Sequence, residues 1–164
     1  MKHWKPALGA IVLSVMPVMG LAASSSSDGP DLLQVEFQSS AASTQFNLAD
    51  LQAFPPISFE THTPWTTGVQ RFTGVSLSAL LAHLEVTEGT LVFHAVNDYV
   101  VEFAVSGAAA GAPIVAYERN GAAMSMRDKG PLWVVFPYDS DPAYQTEEIY
   151  SKSAWQLVRI VVKP

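Results

Sequence analysis

Residues 76–105 read SLSALLAHLEVTEGTLVFHAVNDYVVEFAV, and this stretch decides the fold. Ser76 is a favoured N-cap type, and Leu77, Leu80, Leu81 and Leu84 recur at i, i+3, i+4 and i+7, so a short helix with one apolar face is expected. Past Gly89 the pattern changes. Leu91 to Val96 and Tyr99 to Val105 are rich in β-branched and aromatic residues and flank Asn97-Asp98, a pair that suits a tight turn. They are expected as two antiparallel strands against which the helix packs. With a two-residue turn, His94 stands opposite Val101 and Glu102 opposite Phe93, so His94 and Glu102 point to different faces. His94 then reads as a hydrogen-bonded core histidine or a ligand contact.

Working outward, Leu33, Val35 and Phe37 alternate with polar residues, the period of a half-buried strand. Asn47 can cap a short helix carrying Leu48 and Leu51, which must stop at Pro55-Pro56. Ile57 to Thr61 is a further strand, and residues 63–68 form a loop. Pro113 to Arg119 and Ala122 to Met126 flank Asn120-Gly121, whose tolerance of positive φ predicts a two-residue hairpin turn. Leu132 to Phe136 and Trp155 to Val162 complete the strands. Many strands and two short helices exclude a solenoid and a doubly wound parallel sheet, leaving an α+β, mostly β domain.

The chain has 164 residues, 49% hydrophobic and 15% charged, which is enough apolar content for one folded domain and too much for wholesale disorder. Lys2, His3 and Lys5 precede an apolar run from Ala7 to Leu21, and Gly20 and Ala22 supply small residues at a cleavage site. Residues 1–22 therefore read as a secretory signal peptide, 23–31 as a flexible linker and 32–164 as the domain, in a periplasmic or secreted protein. The run is shorter than the roughly 20 residues that span a bilayer, and no later stretch is long and apolar enough, so no transmembrane segment is expected after cleavage. Cleavage would remove two lysines and leave seven basic residues against 15 acidic ones, a net charge of −8. That balance argues against nucleic acid as a partner, because phosphate binding needs a clustered basic surface. The absence of cysteine removes disulfides, thiol catalysis, lipid anchoring and thiolate metal sites together.

Chemistry-bearing motifs are sparse. No Gly-x-Ser-x-Gly elbow, His-x-His pair or His-Glu-x-x-His helix occurs, and a metal site would need distant groups such as Glu60, His62 and His94 to converge. His83 falls on the exposed side of its helix. Arg127, Asp128 and Lys129 precede Gly130-Pro131, and the strand after them ends in Pro137-Tyr138-Asp139, so this charged loop is either a scaffolded site or a solvated turn. The segment from Asp139 to Lys152 carries Tyr144, Glu147, Glu148 and Tyr150 and reads as a lid, a partner surface or a hydrophilic loop. Pro64-Trp65 lines a pocket or fills the core edge.

The motif order resembles the molybdopterin-binding domain of sulfite-oxidase-like oxidoreductases from about Leu51 to Val162. Residues 72–81 match that family's Phe-x-Gly-Val-x-Leu-x-x-Leu-Leu element. Asn97-Asp98-Tyr99 falls at its turn ending in Gly-Tyr, and Asn120-Gly121 at its Asn-Gly turn. Gly130-Pro131-Leu132, followed by Val134 to Pro137, is similar to its Gly-x-Pro-Leu-Arg strand, and Ala154-Trp155 stands at a Lys-Trp pair.

The resemblance implies a molybdopterin-dependent activity, and the departures from it argue against molybdenum. Catalytic members place a cysteine thiolate on the metal between the second strand and the Phe-x-Gly-Val element, where this chain reads Glu60-Thr61-His62-Thr63-Pro64-Trp65. Trp133 replaces the strand's arginine and Ala154 the lysine, so two groups suited to an anion are absent, with Lys129 and Lys152 nearby as partial substitutes. The chain also lacks most of the N-terminal portion of the longer enzymes. The leading expectation is an exported relative with the fold and pocket but without standard molybdenum catalysis, taking a small-molecule ligand as an accessory or sensory protein. Its cofactor-binding positions would be Thr61, His62, Thr63, Trp65, Asn97, Asp98, Tyr99, Arg127, Lys129, Tyr138 and Lys152, with no catalytic or metal-binding residue assigned. One alternative is an active oxidoreductase whose metal takes a non-cysteine ligand such as His62 or solvent. Another is an interaction module whose acidic segment from Asp139 to Glu148 docks a membrane sensor protein.

Overall fold

The alternation of Leu33, Val35 and Phe37 becomes strand β1 (Asp31–Phe37), with Leu33 and Val35 buried. The chain continues through β2 (Ser43–Asn47) into helix α1 (Leu48–Gln52). Asn47 caps α1 reciprocally: its side chain accepts from the Asp50 N–H and Asp50 accepts from the Asn47 N–H, both at 3.0 Å. Strands β3 (Pro56–Thr61) and β4 (Gln70–Ser76) follow, then helix α2 (Leu77–His83), whose Leu77, Leu80 and Leu81 are buried as the spacing requires. Next come β5 (Thr90–Ala95), β6 (Val100–Ala104), β7 (Ile114–Arg119), β8 (Ala122–Ala123), β9 (Trp133–Val135), α3 (Glu147–Lys152) and β10 (Leu157–Lys163). These elements come from a computed structural model that describes residues 29–109 and 111–164. The expected signal peptide and most of the expected linker lie outside the described residues. Among the described residues, no helix is long and apolar enough to cross a membrane.

Two sheets result, and the fold is α+β and mostly β. The first has the order β2-β1-β10-β5-β6, antiparallel except for the parallel pair β1 and β10. The second has the order β3-β4-β7-β8, with β9 also paired to β7. Residues of both sheets and of α2 join in one apolar cluster, which includes Phe93, Phe103 and Ile160 from the first sheet and Phe72, Ile114 and Trp133 from the second. Ile114 to Tyr117 and Trp133 to Val135 are buried without alternation, as expected for strands covered on both faces.

The two-residue turn at Asn120-Gly121 forms as expected, with Arg119 opposite Ala122 and φ of 54° and 78° at the turn residues. The turn between β5 and β6 does not. Asp98 adopts a left-handed φ of 64°, and the Ala95 N–H donates to the Tyr99 carbonyl at 3.0 Å, which makes a three-residue loop. The register therefore moves by one: His94 pairs with Val100 and Val92 with Glu102, placing His94 and Glu102 on the same, outer face. The expected separation of these two side chains is corrected accordingly. They still have different partners, since Glu102 accepts from Lys163 Nζ at 2.9 Å and His94 Nδ1 lies 3.3 Å from the Arg159 guanidinium. Nor is His94 a core residue. It lies half-buried among polar groups, and burial, then the Arg159 charge, holds its pKa below the usual imidazole value.

Gly74 sits at an irregularity in the β4–β7 register, where an added Cβ would stand 2.2 Å from the Val115 carbonyl oxygen. Backbone cannot yield as a flexible side chain can. Gly74→Ala should cost about 2–3 kcal/mol, the scale of core overpacking. Gly121→Ala meets nothing within 4 Å and should cost only about 1 kcal/mol for its positive φ. Urea midpoints of the two variants check this order, and equal midpoints would refute it.

Candidate functional site

The loop after β3 is fixed to the segment after β9 by a compact set of hydrogen bonds. Thr61, fully buried at the end of β3, accepts the Asp139 N–H on its hydroxyl at 3.0 Å. The Asp139 carboxylate accepts the His62 N–H at 2.7 Å and lies 2.9 Å from His62 Nδ1. The His62 groups, the backbone N–H foremost, hold the Asp139 carboxyl below the usual carboxylate range. Thr63 then bonds Thr66 hydroxyl to hydroxyl at 2.7 Å and accepts the Trp65 N–H at 3.2 Å. This local turn delivers the Trp65 ring to an aromatic cluster.

Trp65 lies 5.4 Å from Trp155, 5.8 Å from Tyr150, 5.9 Å from Trp133 and 6.3 Å from Tyr138, ring centre to ring centre. Offset and edge contacts of this length suit the ring quadrupoles. Trp133 is fully buried against Phe72, at 5.2 Å, and among the described residues its indole N–H has no hydrogen-bond partner. The Lys129 ammonium lies 4.0 Å over the Trp155 ring and 5.6 Å over Trp133. Burial there, with a smaller contribution from the Arg119 charge, pushes its pKa down.

The segment from Asp139 to Lys152 is more ordered than a loop. Thr146 caps α3 by accepting the Ile149 N–H at 3.3 Å, and two phenols pin the helix end. Tyr138 donates to Ser153 Oγ and Tyr99 to the Ser151 carbonyl, both at 2.6 Å. Burial pushes the Tyr138 phenol up to about 12, so it remains a donor across neutral pH.

Between these walls lies a cleft of about 420 Å³. Trp65, Tyr99, Tyr150 and Trp155 give it aromatic sides, and Asn97, Glu147, Ser151 and Ser153 give it polar groups. A smaller recess of about 270 Å³ shares Pro64 and Tyr150 with it and is lined by His62, Thr63, Tyr138, Asp139 and Gln145.

The sequence-derived positions divide between these places. Trp65, Asn97 and Tyr99 line the larger cleft, and His62, Thr63 and Tyr138 the recess. Lys129 stacks on Trp155, and Thr61 lies buried beneath the clamp. Asp98, Arg127 and Lys152 line neither space. Asp98 occupies the exposed β5–β6 turn, Arg127 is exposed in a single 3-10 turn, and Lys152 pairs with Glu148. His83 is exposed as expected, with its ring edge-on to Phe54 at 5.2 Å. Trp155, Tyr150, Glu147, Ser151 and Ser153 were not among the sequence candidates. Trp155 was visible within a motif, and Glu147 and Tyr150 in the acidic segment.

Neither space suits a molybdenum pterin. No thiolate exists, and among the described residues no group of three or more His, Asp or Glu side chains is placed to hold a metal, so Glu60, His62 and His94 do not converge. Among the described residues no lysine or arginine lines either space, while carboxylates line both, the reverse of what a phosphate-bearing group needs. Compared with known families, residues 32–139 match the oxidoreductase molybdopterin binding domain. No curated protein matches the chain.

The clamp carries a pH signature. Because the Asp139 pKa is depressed on folding, its contribution is complete above the unfolded value near 3.9 and is lost as pH falls through the folded value. The difference in urea midpoint between the wild type and Asp139→Asn should therefore be widest near about pH 7 and close toward about pH 2. A difference that does not shrink on acidification would show that the clamp does not depend on the carboxylate charge.

Proposed function

The chain belongs to the oxidoreductase molybdopterin-binding domain family, and from that premise we propose that it is an exported accessory or sensory protein that binds a small molecule without a molybdenum–thiolate centre. The observation that carries this reading is the 420 Å³ aromatic cleft in a chain with no cysteine. A concave, mostly apolar site with a few convergent polar groups is the usual form of a small-ligand site. The basic start, apolar run and small residues at 20 and 22 support export.

A competing reading puts a metal on His62. In its favour, Asp139 holds His62 Nδ1 as an outer carboxylate holds a metal-bound imidazole. Against it, no further donor cluster exists among the described residues. The two readings separate on protein expressed as the full chain in an exporting bacterial host and purified from that compartment. Elemental analysis should give far less than one molybdenum per chain, and native mass spectrometry should detect a retained organic ligand. His62→Ala should leave that ligand in place. Stoichiometric molybdenum with turnover of a sulfoxide or sulfite, both lost in His62→Ala, would overturn the proposal.

A further inference from the structure

The chemistry of the larger cleft narrows its ligand. Four aromatic residues, Trp65, Tyr99, Tyr150 and Trp155, line one space, and among the described residues the single carboxylate there belongs to Glu147. Glu147 has no ion-pair partner among the described residues, whereas Glu148, the next residue, is neutralised by Lys152. Among the described residues no cation lines the cleft. The indole cluster already holds one ammonium group, since Lys129 Nζ lies 4.0 Å over Trp155 without lining the cleft. Ring faces carry negative electrostatic potential, and rings arranged around a space with an unpaired carboxylate attract a cation whose methyl groups need no hydrogen bonds. An anionic ligand would meet the Glu147 carboxylate, while the nearby Lys129 ammonium stays on the Trp155 ring without lining the cleft.

We propose that this cleft binds a small organic cation, an alkylated ammonium compound, with its methyl groups against Trp65, Tyr99, Tyr150 and Trp155 and its charge facing Glu147. This deepens the ligand-binding reading and rests on it. Asn97 and Ser151, at the same space, are placed to bond a hydroxyl or amide carried by the ligand. The net charge of −6 adds a favourable long-range field for a cation.

Trp65, Trp133 and Trp155 all belong to this cluster, so intrinsic tryptophan fluorescence of the mature protein reports on it directly. The probes are choline, tetramethylammonium and 3,3-dimethylbutan-1-ol, the uncharged isostere of choline. Choline and tetramethylammonium should give saturable changes, with the isostere about tenfold weaker or worse. Glu147→Gln, a change at an exposed position that should not disturb folding, should weaken choline about tenfold and leave the isostere unchanged. Glu102→Gln removes the same charge from the outer sheet face and should leave all three titrations as in the wild type. If the isostere binds as well as choline, or Glu147→Gln has no effect, the cation inference falls while ligand binding stands. If no probe binds, the cation inference falls, and if in addition no organic ligand is retained on purification, both fall.

Discussion

One short backbone lacing fixes how the two sheets meet. The Ala154 carbonyl accepts the Val134 N–H at 2.9 Å, and the Leu157 N–H donates to Leu132 at 3.0 Å, so residues 154–157 run along β9 of the second sheet. Within the same few residues Gln156, at a left-handed φ of 53°, donates to Lys129 and accepts from Val96, both at 3.0 Å. The chain then enters β10, the strand between β1 and β5 of the first sheet. Because both sheets share this segment, Trp155 is held at their junction, where Trp65, Trp133 and Lys129 meet it. The placement of Trp155 thus follows from main-chain bonds, and the chemistry at the junction from the side chains gathered there.

What the sequence disclosed and what it hid divide along the range of the interactions. The helix at 77–83 and the Asn120-Gly121 turn were legible because spacing and left-handed φ are local properties. Strand β4 was not, since it runs between β3 and β7 and is buried at Gly74, Val75 and Ser76 in succession, which erases the period of two. Strand β2 is a short, mostly polar edge. The β5–β6 register turned on whether Asp98 would adopt positive φ, a choice that Asn97-Asp98 leaves open. Helix α3 has only six residues and leans on Tyr99 and Tyr138 for its end contacts, so its order is a tertiary property. For the site, Trp65 and Tyr99 stood out singly, but the meeting of residues 65, 133 and 155 depends on the lacing.

The family resemblance and two of the residues that depart from it meet in the interior. By resemblance Trp133 and Ala154 occupy positions of an arginine and a lysine, and both are now core residues. Trp133 is fully buried, and Ala154 is only 1% exposed while its carbonyl serves the lacing. A cation at either place would be a buried charge, which is costly unless it is paired and hydrogen-bonded. The interior at these two positions therefore favours apolar packing over a cation. Lys129 does not reverse it, because its ammonium is committed to the Trp155 face.

The walls of the cleft are held independently of any occupant. On one side the Thr61, His62 and Asp139 bonds fix the loop that carries Trp65. On the other, the phenols of Tyr138 and Tyr99 each hold a residue at the end of α3, and Tyr138 is buried deeply enough to keep its proton. Aromatic side chains have few rotamers, and these are further limited by ring contacts, so little conformational freedom remains to be lost on binding. A site arranged in this way suits recognition. Selectivity then depends on the charge at its mouth, where Glu147 stands alone, and on ring faces that accept a cation without asking it to donate a hydrogen bond.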